Sequence, residues 1–558
     1  MPSIKSKALR QLLLQFRMAQ VSNEKPDLEI DDIIEAKNAA RMTRRQFVGD
    51  VVKASLLTGL IGTRMFEGDE AAASVASESA GNAPGSPAQK NRVVIIGAGI
   101  AGLNAAYQLR KAGIPSTIYE GSHRCGGRIL THRNDALRMG IAPEFGADYI
   151  DSNHKDMLGL VREFKLELTN EYEESRTAGL VHETFFFDGR HLSEKEIVAE
   201  FKTIAPTIAK DAVGLGKNYD TAAARVLDNT TLKDYIDRLA CKQWLKDLLT
   251  SAYLAEYGLD TSEQSAINML SMIGTETSGD FKVFGDSDEK YRITRGNSAL
   301  IEKLSEVLEQ SIQLRHMLTA ISDRSGHTVL SFKDHADVPA DYVVITIPFT
   351  MLRDVKLDLR DMTDAKRTAI RELGYGQNNK LFLGYSNRPW REGGNKFYGY
   401  LFHKDIHDGW DAGAIKPIPS GKGAYCCFLG GSDSIGLAKV AVKSPYAPPS
   451  HVWKTDLPQS AIDKYVARVD EVFPGSRKTY VGHHVFACWS SYPFVKGSYT
   501  CPRPGQWNGA LRHTSEPIGN VYFAGEHCSG KFQGFMNGAA ETGRVAAEQI
   551  VAKIAKSR

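Results

Sequence analysis

The stretch that most constrains this chain is Arg92-Val93-Val94-Ile95-Ile96, followed at once by Gly97-Ala98-Gly99-Ile100-Ala101-Gly102. A short, unbroken apolar run is the pattern of a strand buried on both faces, as in a parallel sheet. Leu103 to Ala112 then reads as a helix with Gly113 at its C-cap, and Ser116-Thr117-Ile118-Tyr119 as a second strand ending on Glu120. Each part has a physical task. Gly97 makes the tight turn, Gly99 lets the backbone approach a pyrophosphate, and Gly102 lets helix and strand pack closely. The helix N-terminus at Ile100 and Ala101 faces the phosphate charge. Glu120 lies 18 residues beyond Gly102, within reach of ribose hydroxyls. The expected fold class is α/β, with a Rossmann-like dinucleotide-binding domain. NAD and FAD share this fingerprint.

The residues after Glu120 choose between them. Gly121 is followed by Arg124-Cys125-Gly126-Gly127-Arg128. This resembles the Glu-x5-Gly-Gly-Arg signature of the flavin-containing amine oxidase family, related to polyamine oxidases and L-amino acid oxidases. The resemblance runs over nearly all of 91–555. It implies FAD as cofactor and a GR2-type flavoprotein, with the FAD-binding domain interleaved with an α+β substrate-binding domain. The expected FAD-binding pieces are 91–165, 289–350 and 497–555, and the substrate-binding pieces are 166–288 and 351–496.

Further segments match the family pattern. Glu144 to Ile150, with Gly146, Ala147, Asp148 and Tyr149, resembles the segment beside the flavin ring. Tyr291 to Asn297 resembles the Gly-Gly-Asn turn, with Arg295 in place of the first glycine. Leu314 to Leu318 resembles the strand that meets the adenine. Val521 to Glu526, then Gln533-Gly534-Phe535-Met536, resembles the strand whose glutamate bonds the ribityl chain and the helix that points at the flavin. Tyr375-Gly376-Gln377-Asn378-Asn379-Lys380 resembles the Tyr-Gly-x3-Lys motif, which makes Lys380 the residue that holds a water at flavin N5. The resemblance makes Trp489 a further expected cofactor contact. Gly497-Ser498-Tyr499 stands where animal monoamine oxidases carry a cysteine bonded to flavin, so FAD is expected to be non-covalent. Tyr499 and Phe535 are expected to form the two walls of an aromatic cage around the amine.

The substrate class follows from what this pattern lacks. L-amino acid oxidases often have Gly-x-Met-Arg beside the flavin, with the arginine pairing the substrate carboxylate. Here Gly146-Ala147-Asp148-Tyr149 has no arginine, which favours an amine, although an arginine elsewhere would serve. Polyamine oxidases place an acid near the end of this segment, and Asp151 falls there. It is either a contact for a distal ammonium or a loop acid ahead of a helix. The rivals are an L-amino acid oxidase, a carotenoid-desaturase-like enzyme and a non-catalytic flavoprotein.

Composition closes off other classes. A net charge of +3 gives no electrostatic case for nucleic acid. No apolar run is long enough to span a bilayer. Seven scattered cysteines form no CxxC pairs, so neither a disulfide framework nor a metal site is expected. The expected partners are a small-molecule amine and oxygen, and the assembly considered is a homodimer. Thr43-Arg44-Arg45-Gln46-Phe47-Val48-Gly49, an apolar stretch and Ala71-Ala72-Ala73 resemble a twin-arginine export leader over 1–73, with a Ser/Ala/Gly/Pro linker over 74–90. Lys53 interrupts the apolar stretch. The location is periplasmic or exported on this reading, and cytoplasmic if the segment is instead an amphipathic helix.

Overall fold

The computed structural model describes residues 91–557, apart from 134–136, 325–326, 416–420 and 444–454. The expected leader and linker lie outside the described residues.

Val93–Ile96 is the central strand of a five-stranded parallel sheet. Tyr342–Ile345 pairs with it on one side and Ser116–Glu120 on the other, and Val521–Phe523 and Ile312–Leu314 form the edges. Both faces are covered, which is why the inner strands are apolar without alternation. Val93, Ile95, Tyr342 and Val344 pack with the helices Ile100–Lys111, Ser298–Val307 and Met536–Lys556. Val94, Ile96, Val343 and Ile345 pack the other way, with a four-stranded sheet.

The fingerprint glycines are needed for contact distances. A Cβ on Gly102 would lie 2.0 Å from the carbonyl oxygen of Gly97, which itself has φ +103°. The last helix sits as close: a Cβ on Gly543 would lie 2.2 Å from the Ala101 carbonyl oxygen, and the Asn104 amide donates to the Ala540 carbonyl at 2.7 Å.

The second sheet has seven strands, in the order Tyr480–Ala487, Asn379–Tyr385, Gly423–Leu429, His407–Asp411, Phe397–His403, Val181–Phe187 and Arg190–Leu192. Phe382 and Cys426 face the helices of 194–270, while Leu381, Leu383 and Cys427 face the helix Gln459–Val472. The vicinal cysteines therefore point to opposite faces, and both thiols are free. The described residues of 91–557 cluster as one compact unit. No helix of the described residues is long and apolar enough to cross a membrane.

Two expectations need correction. The break near 350 falls too early: Lys356–Asp358 pairs in parallel with Leu318–Arg324, and Ala369, Ile370 and Leu373 pack behind the first sheet. A three-residue strand with charged ends has no readable pattern. Leu314 to Leu318 is not one strand; Ile312–Leu314 ends, Arg315 turns at φ +63°, and the next strand begins at Leu318. In the substrate-binding part, Leu232–Arg238, N-capped by Thr231, and Gln243–Tyr257 are separate helices, with Leu239 extended between them.

Candidate active site

One cavity is lined from both the five-stranded and the seven-stranded sheet and collects most of the sequence-predicted residues. Its first end is built from backbone. Gly97, Gly99, Ile100 and Ala101 line it with Glu120, Gly121, Gly127 and Arg128, and Leu318 lines it beside His316 and Met317. A Cβ on Gly99 would meet no protein atom within 4 Å, so a side chain there would project into free space. The helices beginning at Ile100 and Met536 have no side-chain cap, which leaves their first N–H groups for a bound anion. Glu120 accepts from the Ala98 and Ser122 amides at 2.8 Å each, tying the glycine turn to the end of the second strand. Gly102 lies behind the turn, outside the lining.

In the middle, Arg128 donates to the Ser498 carbonyl at 2.7 Å and to Glu526 at 2.8 Å. The second Glu526 oxygen accepts from the Gly534 amide at 2.8 Å. Burial opposes ionisation of Glu526, but the Arg128 guanidinium beside it and these donors hold its carboxyl below the usual range. Trp489 donates to the Phe145 carbonyl at 2.6 Å and lines the cavity with Gly146, Ala147, Asp148 and Tyr149.

The second end is built from side chains. Lys380 is buried and pairs with Asp148; its ammonium also donates to the Gly146 carbonyl at 2.5 Å and lies 4.9 Å from the Trp410 ring centre. Tyr499 and Phe535 both line this end. The Tyr499 hydroxyl donates to the Ala255 carbonyl at 3.1 Å, and Phe535 rests against His154, ring centres 5.3 Å apart.

Three acids absent from the sequence reading, Glu256, Glu289 and Asp408, also line this end. Asp408 is 4 % exposed and accepts from the Tyr400 hydroxyl at 3.0 Å. Glu256 makes no hydrogen bond or ion pair with any described residue. Burial first pushes all three carboxyls up; neighbouring acids add to it, Glu289 and Asp151 at Glu256, Asp151 and Glu183 at Glu289, and Glu289 and Glu256 at Asp408. Asp151 is buried in the wall beside them. Its oxygens accept from the Ser287 hydroxyl at 2.7 Å and the Glu289 amide at 3.0 Å, and burial pushes it up to about 6. It anchors the turn that presents Glu289. His154, at 3.2 Å from Asp151, is held neutral by burial, which pushes it down to about 3.

The chain matches the model of the flavin-containing amine oxidoreductase family over residues 100–551. It belongs to that family. Among relatives of this amine oxidoreductase, a pseudooxynicotine dehydrogenase from a Pseudomonas species is 23% identical over 545 residues, covering 95% of this chain and 98% of the relative. An L-amino-acid oxidase from Bothrops pauloensis is 22% identical over 490 residues, covering 85% and 92%. The structure of cyclohexylamine oxidase from Brevibacterium oxydans superposes with a TM-score of 0.67 at 19% identity, covering 83% of this chain and 99% of that one. A putrescine oxidase bound to putrescine gives 0.68 at 16%, with the same coverage. The protein is therefore a flavin-dependent oxidoreductase of the amine and amino acid oxidase type. The cavity fits FAD: the glycine turn, the space over Gly99 and two uncapped helix ends suit a diphosphate and a reduced flavin.

One signal in the sequence pointed to a missed acid. Glu256 interrupts an otherwise apolar helix end, Ala252-Tyr253-Leu254-Ala255-Glu256-Tyr257, where an acid has no structural reason to be. Glu289 and Asp408 carry no such mark.

Proposed function

We propose that this enzyme oxidises an amine whose far end carries a second positive charge, such as an aliphatic diamine or polyamine. Bound FAD supplies the acceptor for a hydride from the carbon next to nitrogen, and oxygen then takes the electrons to give hydrogen peroxide; the imine hydrolyses to aldehyde and ammonia. The chain's own part is to bind and orient. Tyr499 and Phe535 hold the reacting amine between apolar rings. Glu256, Glu289 and Asp408 hold the far ammonium and keep that nitrogen charged while the reacting one is neutral.

The observation that carries this reading is the Glu256 carboxyl, facing the cavity with no hydrogen-bond or ion-pair partner among the described residues, beside two further acids. A cation completes such a group; a substrate carboxylate would be repelled by it. The only arginines among the described lining residues are Arg124, which donates to the Gly127 carbonyl, and Arg128, which is paired with Glu526. The L-amino acid oxidase alternative therefore lacks an unpaired guanidinium among the described lining residues. The test is a peroxide-coupled panel of 1,4-diaminobutane, 1-aminobutane, benzylamine and L-amino acids. Highest kcat/KM on an L-amino acid would overturn the proposal.

FAD is held non-covalently on this reading. Ser498 cannot form the thioether, and no cysteine is among the described residues that line the cavity. Acid precipitation should release intact FAD into the supernatant. Export by the twin-arginine route is the location proposed from Arg44-Arg45 and the apolar stretch after it. Cell fractionation with an Arg44→Lys/Arg45→Lys variant tests it. A homodimer is the assembly proposed, to be checked by light scattering.

A further inference from the structure

Lys380 does not stand alone in the cavity wall. Its three N–H groups are all engaged: by the Asp148 carboxylate, by the Gly146 carbonyl at 2.5 Å and by the Glu144 carbonyl at 3.3 Å. Asp148 is itself shared. One oxygen meets Lys380 and the other lies 3.1 Å from Nη1 of Arg292. Arg292 is 3% exposed and is not among the cavity-lining residues. It is fixed from behind, donating to the Tyr149 hydroxyl and lying 3.4 Å from Glu171, which accepts from the Tyr398 hydroxyl at 3.1 Å. Four buried charges therefore alternate in sign from the cavity inward: Lys380, Asp148, Arg292, Glu171.

A carboxylate divided between two cations neutralises neither fully. How much positive charge Lys380 presents to the cavity depends on how strongly Asp148 is drawn towards Arg292. We propose that Asp148, steered by Arg292, is a positioning residue that restrains Lys380 and so sets how fast the reduced cofactor passes its electrons to oxygen. In that step the reduced, singly anionic flavin gives up two electrons and its N5 hydrogen, one further proton is taken from solvent, and oxygen becomes hydrogen peroxide. Negative charge builds on oxygen as electrons arrive. A cation with a free N–H beside it stabilises that charge, and Asp148 withholds both the charge and the N–H. The proposal rests on the family's flavin chemistry and not on which amine is oxidised, so it stands or falls separately from the diamine reading.

The test uses the FAD-loaded enzyme and two variants expected to shift in opposite directions. Asp148→Asn keeps the side chain's size and removes its charge. Reoxidation by oxygen in stopped flow should quicken about ten-fold, the rate of anaerobic reduction by amine should change less, and the flavin midpoint potential should rise. Arg292→Met leaves Asp148 wholly to Lys380; reoxidation should slow several-fold and the midpoint potential should fall. Arg292→Lys should recover most of that loss. A purely structural role would move both variants the same way. Shifts of the same sign in the two variants, or an Asp148→Asn enzyme with wild-type reoxidation and potential, overturn the proposal. If Asp148→Asn does not hold FAD, Asp148→Ser carries the same expectation.

Discussion

The two ends of the cavity are made of different materials. The dinucleotide end is main chain: a glycine turn, two uncapped helix ends, and one acid that accepts amide N–H groups. The substrate end is side chain: Lys380, two aromatics and carboxylates drawn from the helix Gln243–Tyr257, the turn at 287–289 and the strand His407–Asp411. A backbone cradle suits a ligand that is the same in every member of a family. A side-chain surround can be changed one residue at a time, which suits a ligand that differs.

Each end should therefore break in its own way. The largest effect is expected at the backbone end. Gly102→Val would drive its side chain into the Gly97 carbonyl, 2.0 Å from the Cβ position. FAD affinity of the apoprotein, read by fluorescence titration, should fall on the order of a hundred-fold or more. An affinity within three-fold of wild type would separate the turn from cofactor binding.

Next is the substrate end. Glu256→Gln should leave FAD binding intact and lower kcat/KM for 1,4-diaminobutane by about ten- to a hundred-fold, the loss of one charge-assisted contact. Benzylamine should be almost unaffected. Equal losses on both substrates would make Glu256 structural.

A smaller effect is read in the pH dependence of stability. Burial pushes Glu144 and Glu183 up to about 7 and Asp151 up to about 6. In the unfolded chain these acids ionise near ~4. The folded state thus keeps protons that the unfolded state has lost, and stability falls as pH rises from about 4 through about 7. The melting temperature of the apoprotein should drop by at least about 3 °C between pH 5 and pH 8. A melting temperature that rises over this range would contradict the assignment of these groups.

The smallest expected effect is that of Asp151→Asn. Both Asp151 oxygens serve the turn that carries Glu289, so the change acts on the substrate through that turn. kcat/KM for the diamine should fall only about two- to five-fold. A loss as large as that of Glu256→Gln would put Asp151 itself on the ligand.

The same division explains what the sequence made legible. Gly97, Gly99, Gly102 and Glu120 stand at fixed spacings within one strand–turn–helix–strand unit, so local pattern reveals the backbone end. The strand Val93–Ile96 was also readable from its apolar run. Lys380, Tyr499 and Phe535 were reached only through motifs, each short and local. Glu289 and Asp408 lie 119 positions apart in the chain and meet only because the seven-stranded sheet folds against the turn at 287–289. No periodicity records such a meeting. Arg292 was hidden differently: it sits in a recognised turn motif, but its role comes from Asp148 and Glu171, two distant acids.

The central claim is that carboxylates at the substrate end select a cationic tail. The most direct measurement is anaerobic reduction of the flavin in stopped flow by 1,4-diaminobutane and by 1-aminobutane, which are alike except at the far end. The account predicts that the diamine is favoured at least ten-fold in the ratio of limiting reduction rate to dissociation constant, and that Glu256→Gln removes most of this advantage. Equal ratios for the two amines in the wild-type enzyme would contradict it.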